Sequence, residues 1–230
     1  MSAGPMGADE PGVSYPPAPW PMAGQMYSSV WAVPSKQCAP ASADPEFVPV
    51  EFAGRTLIMG GFVEYQQGSV LTYHEFFAGA MVRHKASKRS GSKVDHIWVD
   101  DVLSMRGGRE LWGVPKQLAR FDFNHQAPGG GFIGKMQDEQ GRLMVEGHFT
   151  SGLGLPLGRP RVSMTGLTRL HEQAHGAVGA LESTPRLVRA RYTIPQDSPL
   201  AELGIAGRQP LMSFWLKDFR MLLPAATPVL

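Results

Sequence analysis

The sequence is poor in cysteine, in net charge and in long apolar runs. Its 230 residues include one cysteine, Cys38, which excludes an internal disulfide and fits a reducing compartment. The formal net charge is only +2 and the basic residues are dispersed, so no continuous nucleic-acid-binding face is predicted. No apolar stretch approaches the roughly 20 residues that cross a bilayer, and the first residues do not resemble a signal peptide. We therefore expect a cytoplasmic protein that binds neither nucleic acid nor membrane.

Glycine and proline, by contrast, are abundant. The 27 glycines and 20 prolines separate short apolar runs, a pattern typical of short strands joined by turns. Residues 1–19 have almost nothing to bury, which predicts a flexible tail before a single domain over residues 20–230. The predicted fold belongs to the mainly β (α+β) class. It is a closed, mostly antiparallel β-barrel with few short helices.

Two consecutive runs, RTLIMGGFVEY (55–65) and SVLTYHEFFAGAMVRH (69–84), predict a hairpin. Alternation along the second run places Glu75 on one face with Leu71, Tyr73 and Phe77. A carboxylate among such neighbours must find a partner or change its pKa, here upward because burial disfavours the charged form. Periodicity alone leaves open the alternative that Glu75 lies at a sheet edge and reaches water.

The stretch GGRELWGVPKQLA places Lys116 directly after a proline, among apolar residues that include Trp112. Upstream, Asp100 or Asp101 is predicted to cap a short helix that ends at Gly107 and Gly108. If Lys116 is buried, its amine is expected to stay uncharged near neutral pH, and a neutral amine attacks carbonyl carbons. The alternative is a lysine whose stem covers apolar surface while its ammonium group reaches water.

Two further sequence motifs resemble a metal site and an anion-binding patch. HEQAH (171–175) has the spacing of a zinc-binding helix, but it lies between strand-like segments where a hairpin loop is expected, so no metal site is predicted. The run RHKASKRSGSK (83–93) is basic and reads as a solvated loop. Its alternative role is a patch for a phosphopantetheine-bearing carrier protein or a coenzyme A phosphate.

The stretch GGRELWGVPKQLA resembles the Gly-Arg-Glu to Pro-Lys motif of the acetoacetate decarboxylase family, whose lysine forms a Schiff base with a β-keto acid. GSVLTYHEF is similar to the family's strand with a pocket glutamate, and SPLAELGIAGRQPLMSFWLKDFRMLLP is similar to its closing segment, so the resemblance spans residues 20–230. It implies a closed antiparallel barrel with an interior site, a homo-oligomer and no cofactor. Lys116 matches the Schiff-base lysine, Glu75 the pocket glutamate, and Arg109 and Glu110 the charged pair that holds the loop.

The chain also departs from the family pattern. Gln117 stands where the decarboxylase has a second lysine, which helps to activate the first. Gln25 aligns with a family arginine that meets the substrate carboxylate. Gly60 aligns with a second pocket glutamate of the family, and a shift of the alignment by a few residues would place Glu64 at that position instead. The amine and one carboxylate remain, whereas the carboxylate-binding residues are replaced.

These observations predict a Schiff-base-forming lyase for a ketone or keto acid. Its reaction would be an aldol or retro-aldol step, a dehydration or a decarboxylation, in specialised metabolism and distinct from that of an authentic acetoacetate decarboxylase. Lys116 would be the nucleophile and Glu75 the general acid or base, with Tyr73, Trp112, Gln117, Arg109 and Glu110 positioning the site. Two alternatives remain open: a non-covalent cyclase of a polyketide-like substrate, and a small-molecule binding protein.

Overall fold

The computed structural model describes residues 14–39, 44–127, 131–150 and 152–229. Strands dominate it. They are β1 (Trp20–Pro34), β2 (Phe47–Pro49), β3 (Glu51–Phe52), β4 (Arg55–Tyr65), β5 (Tyr73–His84), β6 (Ser90–Val99), β7 (Lys116–Leu118), β8 (Arg120–Ala127), β9 (Gly131–Gln137), β10 (Leu143–Phe149), β11 (Leu153–Gly154), β12 (Arg161–Leu170), β13 (Gln173–Val188), β14 (Ala190–Thr193), β15 (Met212–Leu223) and β16 (Thr227–Pro228). Helix α1 spans Val102–Trp112, and short 3-10 turns lie at Ser35–Gln37 and Pro199–Leu203. Within the described ranges, no helix combines the length and apolar character needed to cross a bilayer.

Seven strands close into a barrel in the order β5-β4-β1-β15-β13-β12-β6, and β6 pairs with β5 again. All neighbours are antiparallel except β6 and β12, which are parallel and pair only at Gly166 with Ser92 and Leu167 with Lys93. Strand β7 pairs in parallel with the last residues of β6, beyond the short β12 pairing on the edge that faces away from β5, with Lys116 opposite Ile97. The predicted closed, mostly antiparallel barrel is therefore confirmed.

A second sheet, β14-β10-β9-β8, packs against the outer face of the barrel. The core between them is aromatic: Tyr27 of β1 stacks on Phe132 of β9 with ring centroids 3.9 Å apart, and Phe62 of β4 contacts Phe132 edge-on. Because successive strand residues face opposite sides, the neighbours Met26 and Val63 belong to a second core inside the barrel. The candidate site is built into this inner core.

The N-terminal residues contact the barrel before β1 begins. Residues 1–13 of the predicted flexible tail lie outside the described residues. The rest of that tail is placed: the Tyr15 hydroxyl donates to Glu110 Oε2 at 2.7 Å, and Trp20 Nε1 donates to the Pro16 carbonyl at 2.8 Å. Residues 14–19 therefore lie against helix α1.

Candidate active site

Glu75 lies on the barrel strand β5 and faces the interior. The β4–β5 hairpin pairs Tyr65 with Tyr73 and Val63 with Glu75, so these side chains share the inner face. Glu75 is only 5% exposed, and the Tyr65 hydroxyl donates to its Oε1 at 3.0 Å. Of the two alternatives that alternation left open, the structure shows the buried carboxylate with partners.

Lys116 begins strand β7, and its side chain points into the same interior. Its exposed fraction is also 5%. The Arg109 guanidinium donates from Nε to the Lys116 carbonyl at 2.7 Å, which ties the strand to the end of helix α1. Arg109 itself is exposed, so it positions the lysine backbone from outside the barrel, in keeping with the loop-holding role that the family resemblance implied.

The amine of Lys116 makes three polar contacts. Nζ donates to Glu75 Oε2 at 2.8 Å, to Ser104 Oγ at 2.9 Å and to the Tyr73 hydroxyl at 3.2 Å. The Lys116–Glu75 contact is a buried ion pair, because both side chains are less than a tenth exposed. Lysine, glutamate, two tyrosines and one serine thus form a single hydrogen-bonded cluster.

The charge state of Lys116 differs from the sequence-based expectation. Burial acts to lower the pKa of the Lys116 amine, but the negative charge of Glu75 and the contact with Tyr73 oppose it, and the pKa lies above its ordinary value. For Tyr73, whose charged form is the anion, burial raises the pKa to about 12, although the nearby Lys116 acts to lower it. The predicted burial of the amine is present, whereas the predicted neutral resting state is not. The apolar residues around Lys116 in the sequence do not indicate that a counter-ion, Glu75, lies beside it on another strand.

Helix α1 supports the lysine from one side. Asp101 caps its N-terminus by accepting from the Ser104 amide at 2.6 Å. The prediction that Gly107 and Gly108 end the helix is wrong, since it continues to Trp112 and ends at Gly113 in the left-handed region with φ 63°. The glycines serve packing instead: a Cβ on Gly108 would lie 2.6 Å from Lys116 Cδ, and one on Gly107 would lie 2.6 Å from the Trp20 ring.

Lys116 and Glu75 line one cavity of about 200 Å³ in the barrel interior. Trp112 is buried in its wall, where its Nε1 donates to the Pro224 carbonyl at 2.7 Å and its ring meets Trp20 edge-on. Met164 and Gly166 of β12 are lining residues that are also exposed. The cavity therefore reaches the surface beside β12.

Four other predicted site residues lie outside this cavity. Glu110 and Gln117 are exposed. Gln25 follows the irregularity between Gly24 and Met26 and its amide donates to Asp218 Oδ1 at 2.8 Å in a surface groove. Glu64 alternates with the inward-facing Tyr65 and pairs with His125 at 3.1 Å. Strand alternation thus turns both Gln25 and Glu64 away from the lysine.

The remaining motifs also find their places. HEQAH is a hairpin turn as expected, with His171 and Glu172 at positive φ between β12 and β13. Within the described ranges, no group of three or more His, Cys, Asp or Glu residues could hold a metal ion. In the basic run, Lys85 donates to the Asp44 and Pro45 carbonyls, and Lys93 belongs to β6 and pairs with Asp95 at 2.5 Å.

Sequence reasoning missed two members of the cluster, Tyr65 and Ser104. Both carried a usable signal. The predicted hairpin puts Tyr65 at the end of its first strand, on the face shared with Tyr73 and Glu75. Ser104 and Gly108 are four residues apart, so a helix that continued past the glycines would present both to the lysine.

The closed barrel and its buried lysine–glutamate pair are the features that the resemblance to the acetoacetate decarboxylase family predicted. The chain belongs to the acetoacetate decarboxylase family, because the family model described as "Acetoacetate decarboxylase (ADC)" matches residues 12–201. Acetoacetate decarboxylase 3 of Mesorhizobium japonicum (strain LMG 29417 / CECT 9101 / MAFF 303099) is 28% identical over 119 residues, which are 49% of this chain and 42% of that protein. The chain thus matches less than half the length of this curated relative.

Solved structures share the fold across nearly the whole chain. The acetoacetate decarboxylase of Legionella pneumophila superimposes with a TM-score of 0.72 at 16% identity, covering 95% of this chain and 90% of that chain. The enduracididine biosynthesis enzyme MppR complexed with pyruvate gives 0.66 at 18% identity, covering 98% of each. The same enzyme with the condensation product of pyruvate and imidazole 4-carboxaldehyde gives 0.61 at 19% identity, covering 99% and 97%.

Proposed function

We propose that the protein is a Schiff-base-forming lyase in which the Lys116 amine attacks the carbonyl carbon of a ketone or keto acid. The observation that carries the proposal is the buried contact of 2.8 Å between Lys116 Nζ and Glu75 Oε2 at the wall of a largely apolar cavity. An amine held there is screened from water. A carboxylate within hydrogen-bond distance can exchange protons with it directly.

The proton balance follows from the charge state. The Lys116 ammonium first gives one proton to Glu75, and the neutral amine then attacks the carbonyl carbon to form a carbinolamine. Protonated Glu75 returns the proton to the departing hydroxyl, which leaves as water, and a cationic iminium faces the carboxylate. The iminium can accept an electron pair when a neighbouring bond breaks, which is what aldol, retro-aldol, dehydration and decarboxylation steps share.

The choice among these reactions rests on the surroundings of the pair. No arginine is among the described residues that line the cavity, so an authentic acetoacetate decarboxylase, which holds a substrate carboxylate, is disfavoured. The condensation product held by MppR, which shares the fold, supports carbon–carbon bond chemistry. A role in specialised metabolism is proposed on the same ground.

Borohydride trapping tests the imine. We expect reduction in the presence of a small ketone to add one ligand less one oxygen to the intact protein, because one water leaves and two hydrogens are then added, with the added mass mapped to Lys116. Lys116→Met should abolish this adduct, while Lys36→Met, which removes an exposed lysine, should retain it. A panel of ketones and keto acids that leaves no adduct on Lys116 would contradict the proposal.

A non-covalent cyclase is the second candidate. The observation that favours it is the raised pKa of Lys116, since the resting site holds a cation that can donate hydrogen bonds to a folded substrate. The two candidates separate in one comparison. Turnover that is lost in Lys116→Met without any trapped adduct in the unmodified protein supports the cyclase, whereas binding without turnover leaves a binding protein.

A further inference from the structure

The wall of the cavity is almost entirely apolar. Its polar side chains are Lys116, Glu75, Tyr65, Ser92 and Thr168. The larger apolar side chains that complete the wall come from five strands, helix α1 and the residues before β7: Trp20, Met22, Met26, Phe77, Val94, Ile97, Trp112, Val114, Met164, Leu167, Met221 and Leu223. Such a wall stabilises an apolar ligand through burial and gives a charged one few contacts.

The cation in this wall is already balanced. Among the described lining residues, Lys116 is the one positive group, and its amine contacts the Glu75 carboxylate at 2.8 Å. A substrate carboxylate in the same space would lose its hydration and approach Glu75, a like charge. Desolvation of an ion without a new partner is strongly unfavourable, and the Lys116 nitrogen, which already faces Glu75, is not free to serve as that partner while it becomes the imine nitrogen.

Other cations near the site are turned away from the cavity. Arg109 is exposed and donates to the Lys116 carbonyl from outside. Arg161 and Arg220 line the surface groove that also holds Gln25. The arginines that could pair with the carboxylate of a keto acid therefore lie on the outside of the barrel. The barrel wall separates them from the Lys116 amine.

We propose, on the basis of the proposed function, that the substrate is an uncharged, largely apolar ketone or aldehyde and that keto acids are excluded. The carbonyl group meets Lys116, and the remainder of the molecule packs against methionine, tryptophan and aliphatic side chains. The cavity of about 200 Å³ equals the volume of roughly seven liquid waters. The bound portion of the substrate is accordingly small.

A matched pair of ligands tests this proposal on the full chain. Methyl isobutyl ketone and acetoacetate have the same number of non-hydrogen atoms and differ by two methyl groups in place of the two carboxylate oxygens. We expect borohydride trapping on Lys116 to reach half-saturation at a concentration of the neutral ketone at least about 100-fold lower than for the acid, because only the acid carries a charge to be desolvated. The ratio is normalised to trapping on free Nα-acetyl-lysine, and the acid's decarboxylated adduct is counted with it.

The outcomes are distinguishable. Equal or better trapping of the acid overturns the exclusion of keto acids and leaves the lyase proposal standing. Trapping of neither ligand, nor of any other carbonyl compound, removes the lyase proposal and this inference with it. Preferential trapping of the neutral ketone supports both.

A gain of acid binding offers an independent check. Met164 lines the cavity mouth and Val162, two residues earlier on the same face of β12, does not; both are exposed, so an arginine fits at either position. We expect Met164→Arg to raise acetoacetate trapping at least about tenfold relative to methyl isobutyl ketone, and Val162→Arg to leave the ratio unchanged. If Met164→Arg traps the neutral ketone but the ratio stays that of the unmodified protein, charge does not set the selectivity and the inference fails.

Discussion

The decisive residue-level feature is the ion pair between Lys116 and Glu75. Burial alone would favour a neutral amine, but a carboxylate at 2.8 Å reverses the balance. Because the pKa of Lys116 is higher in the folded protein than its ordinary value, the pair stabilises the fold below that ordinary value and this contribution is lost as the pH rises through the folded pKa. In the proposed mechanism, Glu75 therefore both keeps the Lys116 amine protonated at rest and accepts the proton whose loss makes it a nucleophile.

Glu75→Gln separates these two effects. Without the carboxylate, burial remains as the main influence on the pKa of Lys116, so the pH at which imine trapping rises should move to lower values. At a pH where the Lys116–Glu75 pair of the unmodified protein still holds its proton and the amine of the variant is already neutral, we expect the variant to be trapped about 100-fold slower, because it has no buried carboxyl group that protonates the departing hydroxyl. The measurement is the trapping rate with one ketone from pH 6 to about 11.

Glu64→Gln is the matched control. It lies on the neighbouring strand, but its carboxylate pairs with His125 on the outside. Its pH profile should coincide with that of the unmodified protein. A Glu75→Gln profile that also coincides would show that the carboxylate does not govern the amine.

The sequence predicts which residues form the core of the candidate site. Alternation in SVLTYHEFF places Glu75 and Tyr73 on one face, and the family motif identifies Lys116. What it lacks is the pairing between distant positions: Lys116 and Glu75 are 41 residues apart and meet only when β7 joins β6 and β6 joins β5. The charge of the amine depends on that meeting, so local sequence gave the wrong resting state.

Among the elements, helix α1 has the most direct effect on the site. Gly108 packs against the stem of Lys116. Gly108→Ala should favour the helix by up to about 1 kcal/mol in intrinsic propensity, while its methyl group displaces a flexible side chain from Glu75 and Ser104. We expect folding to persist and imine trapping to fall at least about tenfold, as measured by urea unfolding and by trapping rate on the same samples.

Gly154→Ala is the control for this change, because a Cβ there has no other atom within 4 Å. Its trapping rate should equal that of the unmodified protein. If Gly108→Ala also traps at the unmodified rate, the glycine does not position the lysine.

The same helix shows where element boundaries escape sequence reasoning. The paired glycines of GGRELW resemble a helix stop because glycine terminates many helices. Here tertiary packing overrides that preference, since the Trp20 ring and the Lys116 stem occupy the space of the missing side chains. HEQAH shows the opposite case, in which flanking strand patterns correctly outweighed a helical motif and predicted the turn that the structure contains.

For the whole molecule, two cores share the barrel wall. Phe62 of β4 lies in the outer core, where its ring contacts Phe76, Phe132 and Tyr192. We expect Phe62→Ala to lower the free energy of unfolding by about 3–5 kcal/mol, as for large buried aromatics generally, measured by denaturant titration. Phe52→Ala, at a position 87% exposed, should change it by less than about 0.5 kcal/mol.

A Phe62→Ala protein as stable as the Phe52→Ala control would mean that the four-stranded sheet does not depend on this contact.

The overall architecture was predictable because glycine and proline punctuation and alternating runs are repeated along the chain. The second sheet and its separate core were not, since a periodic strand does not reveal which of two layers it joins.

The two-residue parallel pairing of β6 with β12 divides the barrel unequally. Glu75 and Lys116 are both fixed to the β6 side, through β5 and β7, whereas Met164 and Gly166 at the mouth belong to β12. Few backbone hydrogen bonds hold this seam compared with the ten residue pairs that join β12 to β13. If this seam separates during thermal motion, the cavity mouth widens while the distance between Lys116 and Glu75 is unchanged. Ligand entry is then structurally independent of the geometry of the ion pair.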